Sequence, residues 1–254
     1  LTKAEENKSV ESKISDIDIN NVSFSFDQRK SVLTNINLKI KLGEKISIVG
    51  ECGSGKSTLA KLLVKLYSVN DGKILIDGID INSIGNDLIR NKIVLISQDD
   101  FIFSQSVKEN LLLSDEKMIT EEVQNILNIT GVNKIISGLP NGFDTVIGAG
   151  GVELSKGQAQ MIAIARMLIK KPNVIILDEA TSNIDMYTEQ QIVNYLIDRK
   201  EITLIIISHK ANVICKSDMV YFLDDGRIIA QGCHQELLKN CKKYKDCFGG
   251  GLYE

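Results

Sequence analysis

The 254-residue chain has no tryptophan, two prolines and two histidines, and its five cysteines form an odd set. Cys52, Cys215, Cys233, Cys241 and Cys247 lack the density of a disulfide-framed small domain, which points to a reducing cytosol. The group Cys233, His234, Cys241 and Cys247 matches no zinc spacing. There is no excess of positive charge. At a net −3 the chain has no overall basic field to recruit nucleic acid or anionic lipid. The basic run Lys239–Lys245 is short and reads as a solvated helix end, with lipid-headgroup contact as the alternative. No apolar run approaches the ~18–20 residues of a spanning helix, no signal peptide is visible, and no repeat or low-complexity tract appears. The chain opens on Leu1 and closes on Gly249-Gly250-Gly251-Leu252-Tyr253-Glu254, and both ends are expected to be cuts from a longer protein.

What remains is ordinary for a globular protein, with 43% hydrophobic and 25% charged residues. Residues 1–13 are polar and aperiodic and read as a linker. From Ile14, the positions Ile17, Ile19, Val22, Phe24 and Phe26 suggest one face of a strand. A second strand is expected over Leu33–Ile40, with a turn at Gly43. Lys45–Gly50 is a short apolar strand that stops at glycine. Leu59, Leu62, Leu63 and Leu66 then recur at helical spacing. Further helices are expected near 120–129, over 156–169, and through Ile192, Tyr195 and Leu196. The segment 99–168 reads as a helical insertion. Two apolar strands, Asn173–Leu177 and Thr203–Ser208, resume a core of central parallel strands buried on both faces.

Residues Gly50-Glu51-Cys52-Gly53-Ser54-Gly55-Lys56-Ser57 fit G-x-x-x-x-G-K-[ST], with Thr58 following, between a strand and a helix. The glycines permit positive φ and turn backbone N–H groups inward. The helix aims its positive end at a phosphate. Lys56 adds a point charge, and the Ser57 hydroxyl suits Mg²⁺, which takes hard oxygen ligands. An apolar strand ends in Asp178-Glu179. Asp178 can hold Mg²⁺ directly or through water, and Glu179 can polarise an attacking water.

These residues alone indicate a nucleotidase. Leu154-Ser155-Lys156-Gly157-Gln158 resembles the LSGGQ signature of the ABC ATPases. Gln98 resembles that family's Q-loop, Ser182–Asp185 its D-loop, and His209 its H-loop. Phe26 stands where the family places an adenine-stacking aromatic. The resemblance runs over about residues 14–240. It implies an α/β P-loop NTPase with the ABC ATPase fold: a RecA-like core, an N-terminal antiparallel β subdomain and an inserted α-helical subdomain. The ATPase domain would cover 14–245, and 246–254 would be tail. It implies ATP and Mg²⁺ as ligands, with Ser57, Gln98 and Asp178 on the metal and Glu179, His209 and Gln98 as catalytic groups. Phe26, Gly50–Thr58, Ser155, Gly157 and Gln158 would contact nucleotide. Two copies would pair head to tail around two ATP, each site completed by the other copy's Ser155. His234 reads instead as a helix-start residue.

Residues Gln98–Asn110 resemble the stretch after the Q-loop of exporter-type domains, as does Gly72–Asp80. That implies a transmembrane partner in the same transporter and a place on the cytoplasmic face of the membrane. Phe101 and Phe103 are candidate contacts to that partner, or packing residues of the helical part. Glu179–Gln190 is similar to exporters of bacteriocins and other peptides, some of which carry a peptidase. The alternative is a soluble ABC ATPase acting on ribosomes or DNA. Single cassette, ordinary spacing and lack of basic surface speak against it. A degenerate domain that binds ATP without turnover is a third reading, opposed by Glu179 and His209. Three departures stand out: Lys156 replaces a signature glycine, Cys52 replaces a common serine, and Thr145–Gly151 lacks the charges usual in the exporter X-loop.

Overall fold

The computed structural model of the chain describes residues 14–27, 31–98, 102–112 and 120–249. The expected linker over 1–13, and Phe101, lie outside them. In chain order the first elements are β1 (Asp16–Phe24), β2 (Leu33–Lys41), β3 (Lys45–Val49), α1 (Lys56–Leu63), β4 (Asp71–Ile76), β5 (Ile79–Asp80), α2 (Asn86–Lys92) and β6 (Ile93–Ser97). Next come β7 (Gln105–Ser106), α3 (Val107–Leu112), α4 (Glu121–Ile129), α5 (Val132–Ser137), β8 (Val146–Ile147) and α6 (Lys156–Ile169). The last are β9 (Val174–Asp178), α7 (Met186–Ile197), β10 (Thr203–Ile207), α8 (Ala211–Ile214), β11 (Met219–Asp224), β12 (Arg227–Gly232), α9 (His234–Asn240) and α10 (Lys242–Phe248). Among the described residues no helix is long and apolar enough to cross a membrane.

The chain forms two compact units. The first comprises the described residues up to Leu95, then Asn173–Asp178 and those from Arg199 on. It holds a sheet of order β12-β11-β3-β10-β9-β6 and a second of order β2-β1-β4-β5. Strands β11, β3, β10 and β9 run parallel. Every residue of β3, β9 and β10 is buried. Continuous apolar runs are what such two-sided burial requires. β3 has two polar members: Ser47, whose hydroxyl meets that of Ser217 at 2.7 Å, and Lys45. The Lys45 ammonium donates to the carbonyls of Arg199 and Ile202, and burial pushes its pKa down.

The second sheet is antiparallel throughout. Strand β1 keeps Ile17, Ile19, Val22 and Phe24 buried although their spacing is not uniformly two. A bulge between Ile19 and Val22, with Asn21 at φ 51°, inserts the extra residue that resets the alternation. Phe26 does not continue that face: β1 has ended, and the ring is 62% exposed. Likewise α1 stops at Leu63, the backbone turns through Lys65 at φ 55°, and Leu66 lies outside the helix and exposed. Helix α10 carries the packed chain to Phe248, past residue 245. Phe248 and Tyr244 bury against Val49 and Phe222.

The second unit is built around α6, which packs against α3, α4 and α5. Thr120 caps α4 by accepting from the Val123 N–H at 3.3 Å. Strands β7 and β8 form a short antiparallel ladder. Phe103 is half-exposed, with the Arg166 guanidinium 5.2 Å over its ring.

Candidate nucleotide site

Within the first unit, β3 delivers the chain into the phosphate loop. Gly50, Gly53 and Gly55 have φ of 154°, 79° and 103°, conformations that side chains disfavour. Two of them are also fixed by close approach. A Cβ at Gly50 would fall 2.0 Å from the Leu223 carbonyl oxygen, and one at Gly55 would fall 2.7 Å from Leu33. Around Gly53 there is open space. The Gly226 N–H donates to the Ser54 carbonyl at 3.2 Å, so the β11–β12 turn is tied to the loop. Sequence reasoning missed this turn. Its Asp225-Gly226 pair marks a hairpin, but nothing local ties it to a loop some 170 residues away.

Helix α1 begins at Lys56 with Gly55 as its cap, no side-chain capping bond and no acidic residue in the first turn. Its N–H groups are therefore left for an external acceptor. Lys56 is buried, and its ammonium donates to the carbonyls of Gly50 and Glu51, both at 2.8 Å. Ser54 is buried and its hydroxyl has no hydrogen-bond partner among the described residues. An orphaned hydroxyl, open space at Gly53 and an uncapped helix start fit a phosphate group. Glu51, Cys52 and Ser57 are exposed and Thr58 half-buried.

Strand register places two further residues at the same sheet edge. Ile207 of β10 pairs with Ile48 of β3 on one side and with Asp178 of β9 on the other. Neighbouring strands lie about 4.8 Å apart, so Asp178 ends its strand about 10 Å across the sheet from the start of the loop. Asp178 is buried. Ser57 and Asp178 offer oxygen donors only, which suits magnesium. His209, two residues beyond Ile207, is exposed at that edge. Phe26 packs edge-on against Phe24 and Tyr67, with ring centroids at 5.0 and 5.3 Å. Tyr67 is a second exposed aromatic that the sequence reading did not single out.

The second unit carries the other candidates. Ser155 caps α6 through a reciprocal box: its hydroxyl accepts from the Gln158 N–H at 3.2 Å, and the Gln158 side chain accepts from the Ser155 N–H at 2.9 Å. The Ser155 hydroxyl still has its own proton to donate. Lys156 is exposed at the first helical position. Gly157 has a steric reason to be glycine: a Cβ there would sit 2.5 Å from the Asn183 carbonyl oxygen. Glu179 is half-buried at φ 51°, a rare conformation for a side-chain-bearing residue. Its carbonyl accepts from Ser182 at 3.2 Å. Asp185 caps α7 by accepting from the Thr188 N–H at 3.0 Å, which holds its carboxyl below the usual range. Gln98 is exposed just after β6. His234 does begin a helix, α9, and its buried ring meets the Tyr244 hydroxyl at 2.6 Å.

Residues 33–182 match the ABC transporter family model. A Staphylococcus aureus (strain NCTC 8325 / PS 47) protein named as a candidate multidrug export ATP-binding/permease protein is 39% identical over 241 residues, which is 94% of this chain and 42% of that protein. Its namesake in strain bovine RF122 / ET3-1 is 38% identical over the same shares. The structure of a bacterial Atm1-family ABC exporter with ATP bound matches with a TM-score of 0.88 at 33% identity, covering 95% of this chain and 43% of that one. The chain spans less than half the length of the curated relatives it matches. Family model, relatives and fold agree: the chain belongs to the ABC transporter family, as an exporter-type nucleotide-binding domain with the ABC ATPase fold.

Proposed function

We propose that the chain binds and hydrolyses ATP as the motor of an exporter, pairing head to tail with a second copy around two MgATP. The carrying observation is the phosphate loop. Three positive-φ glycines, an uncapped helix and a buried lysine stand at the sheet edge where Asp178 ends its strand. Ser57, Asp178 and Gln98 would hold Mg²⁺, which neutralises phosphate charge when bound. Lys56 and His209 steady the γ-phosphate, and Glu179 takes the proton of the attacking water. Ser155, with its hydroxyl proton unused by the cap, donates to the γ-phosphate held by the other copy. Gly157 and Gln158 complete that surface, and Phe26 stacks on the base.

Export as the task is supported by the names of the relatives, which join an ATP-binding part to a permease. That pairing favours a transmembrane partner in the same transporter, on the cytoplasmic face of the membrane, over a ribosomal or DNA role. The relatives' names favour small-molecule cargo; a peptide cargo rests on the resemblance of Glu179–Gln190 to peptide exporters. The test is steady-state ATPase and sedimentation of wild type and Glu179→Gln. The variant should accumulate ATP-bound dimers with turnover lowered ~10²-fold or more, the scale of a lost general base. Wild type without nucleotide should be monomeric when dilute. Near-normal hydrolysis by Glu179→Gln would remove that residue from the role.

A further inference from the structure

We propose that Gln160 is a positioning residue for Glu179, an inference that rests on the hydrolytic reading above. Gln160 lies three residues beyond Gly157, on the same face of α6. That face grips one residue from two sides. The Asn183 carbonyl sits where a Cβ on Gly157 would come within 2.5 Å, and the Asn183 N–H donates to Gln160 Oε1 at 3.2 Å. Gln160 is only 3% exposed, and its Nε2 has no partner among the described residues. A buried unsatisfied amide destabilises, so packing alone would be better served by a methionine or leucine. What the glutamine supplies is the acceptor for Asn183.

Asn183 belongs to a segment tied at several points. Thr181 donates its hydroxyl to the Glu189 carboxylate, Ser182 donates to the Glu179 carbonyl, and Asp185 caps α7. Glu179 heads this segment at φ 51°. Such a conformation persists only where the surroundings over-determine it. Gln160 is the tie between the segment and the helix that carries Ser155. Releasing it lets the Glu179 backbone relax and moves the carboxylate, while the phosphate loop is untouched.

The experiment compares wild type, Gln160→Met and Gln160→Glu by hydrogen exchange over residues 179–185 and by steady-state MgATP hydrolysis. Methionine keeps the shape and removes the acceptor; glutamate keeps the acceptor and removes the orphaned donor. Gln160→Met should exchange faster over 179–185, with α6 and the phosphate loop unchanged. Its kcat should fall ~10-fold, between a lost hydrogen bond and a misplaced catalytic group, with KM for ATP retained. Gln160→Glu should recover both. Unchanged exchange over 179–185 in Gln160→Met overturns the tether. Faster exchange with an unchanged kcat, or a raised KM at constant kcat, overturns the positioning role. If wild type protects 179–185 yet does not hydrolyse ATP, the proposed function fails and the tether stands.

Discussion

Gly50 and Gly53 are both positive-φ residues of one loop, and they separate two costs that usually travel together. At Gly53 a Cβ meets nothing within 4 Å, so Gly53→Ala carries only the conformational penalty, about 1–2 kcal/mol. At Gly50 the added carbon would lie 2.0 Å from the Leu223 carbonyl and 2.9 Å from the Ser54 hydroxyl oxygen. The first is roughly 1.5 Å inside ordinary contact distance. Leu223 is fully buried in β11 and paired with Ile228 of β12, so its carbonyl cannot swing aside. Overpacking of this kind adds ~1–3 kcal/mol to a backbone penalty of ~1–3 kcal/mol. Gly50→Ala should therefore cost ~2–6 kcal/mol, a large part of the ~5–15 kcal/mol that holds a typical domain folded. Guanidinium unfolding midpoints and the binding of a fluorescent ATP analogue read both effects. Gly53→Ala should lose only ~1–2 kcal/mol of stability and weaken nucleotide binding modestly, whereas Gly50→Ala should lose ~2–6 kcal/mol and nucleotide binding with it. Equal behaviour of the two variants would refute the claim that the Leu223 carbonyl of β11 requires a glycine at position 50.

Three further outcomes are expected. Burial holds the His234 pKa below 6.5, so the unfolded chain binds its proton first as pH falls. Stability should be full above about pH 6.5 and decline below it, and urea unfolding of His234→Phe at pH 7.5 and 5.5 should show a smaller loss than wild type. Cys52 is exposed on the phosphate loop, so a maleimide should inactivate the ATPase and MgATP should protect it. Full activity after stoichiometric labelling of Cys52 would contradict that reading. Lys156→Gly should change the KM for ATP or the turnover, because an exposed cation at the start of α6 faces the γ-phosphate in the proposed dimer; identical constants would dismiss it.

The sequence disclosed what is encoded locally. Gly50–Ser57 declares a turn between a strand and a helix, and the burial of β9 and β10 follows from the apolar runs Val174–Leu177 and Leu204–Ile207. The phase of β1 failed at Phe26 because strand alternation ends with the strand, and Leu66 failed because one left-handed residue at Lys65 ended the helix. Gly157 reads as a motif letter until Asn183 is seen against it. Helix α10 reads as a basic run, since Tyr244 and Phe248 show their purpose only beside Val49 and Phe222. The first two misses are local terminations, and the last two depend on contacts between residues far apart in the chain.

The two carbonyls that hold Lys56 have a thermodynamic consequence. A phosphate that recruits this ammonium does not meet a bare cation; it competes with Gly50 and Glu51 for donors already engaged at 2.8 Å. The affinity of the loop is then an exchange energy, smaller than the full strength of a lysine–phosphate contact. The same two bonds tie the ammonium to the backbone that curves around it, so the lysine braces the loop as well as carrying its charge. Under the proposed function, nucleotide exchange would transfer one lysine between two sets of oxygens, the phosphate's and those of Gly50 and Glu51.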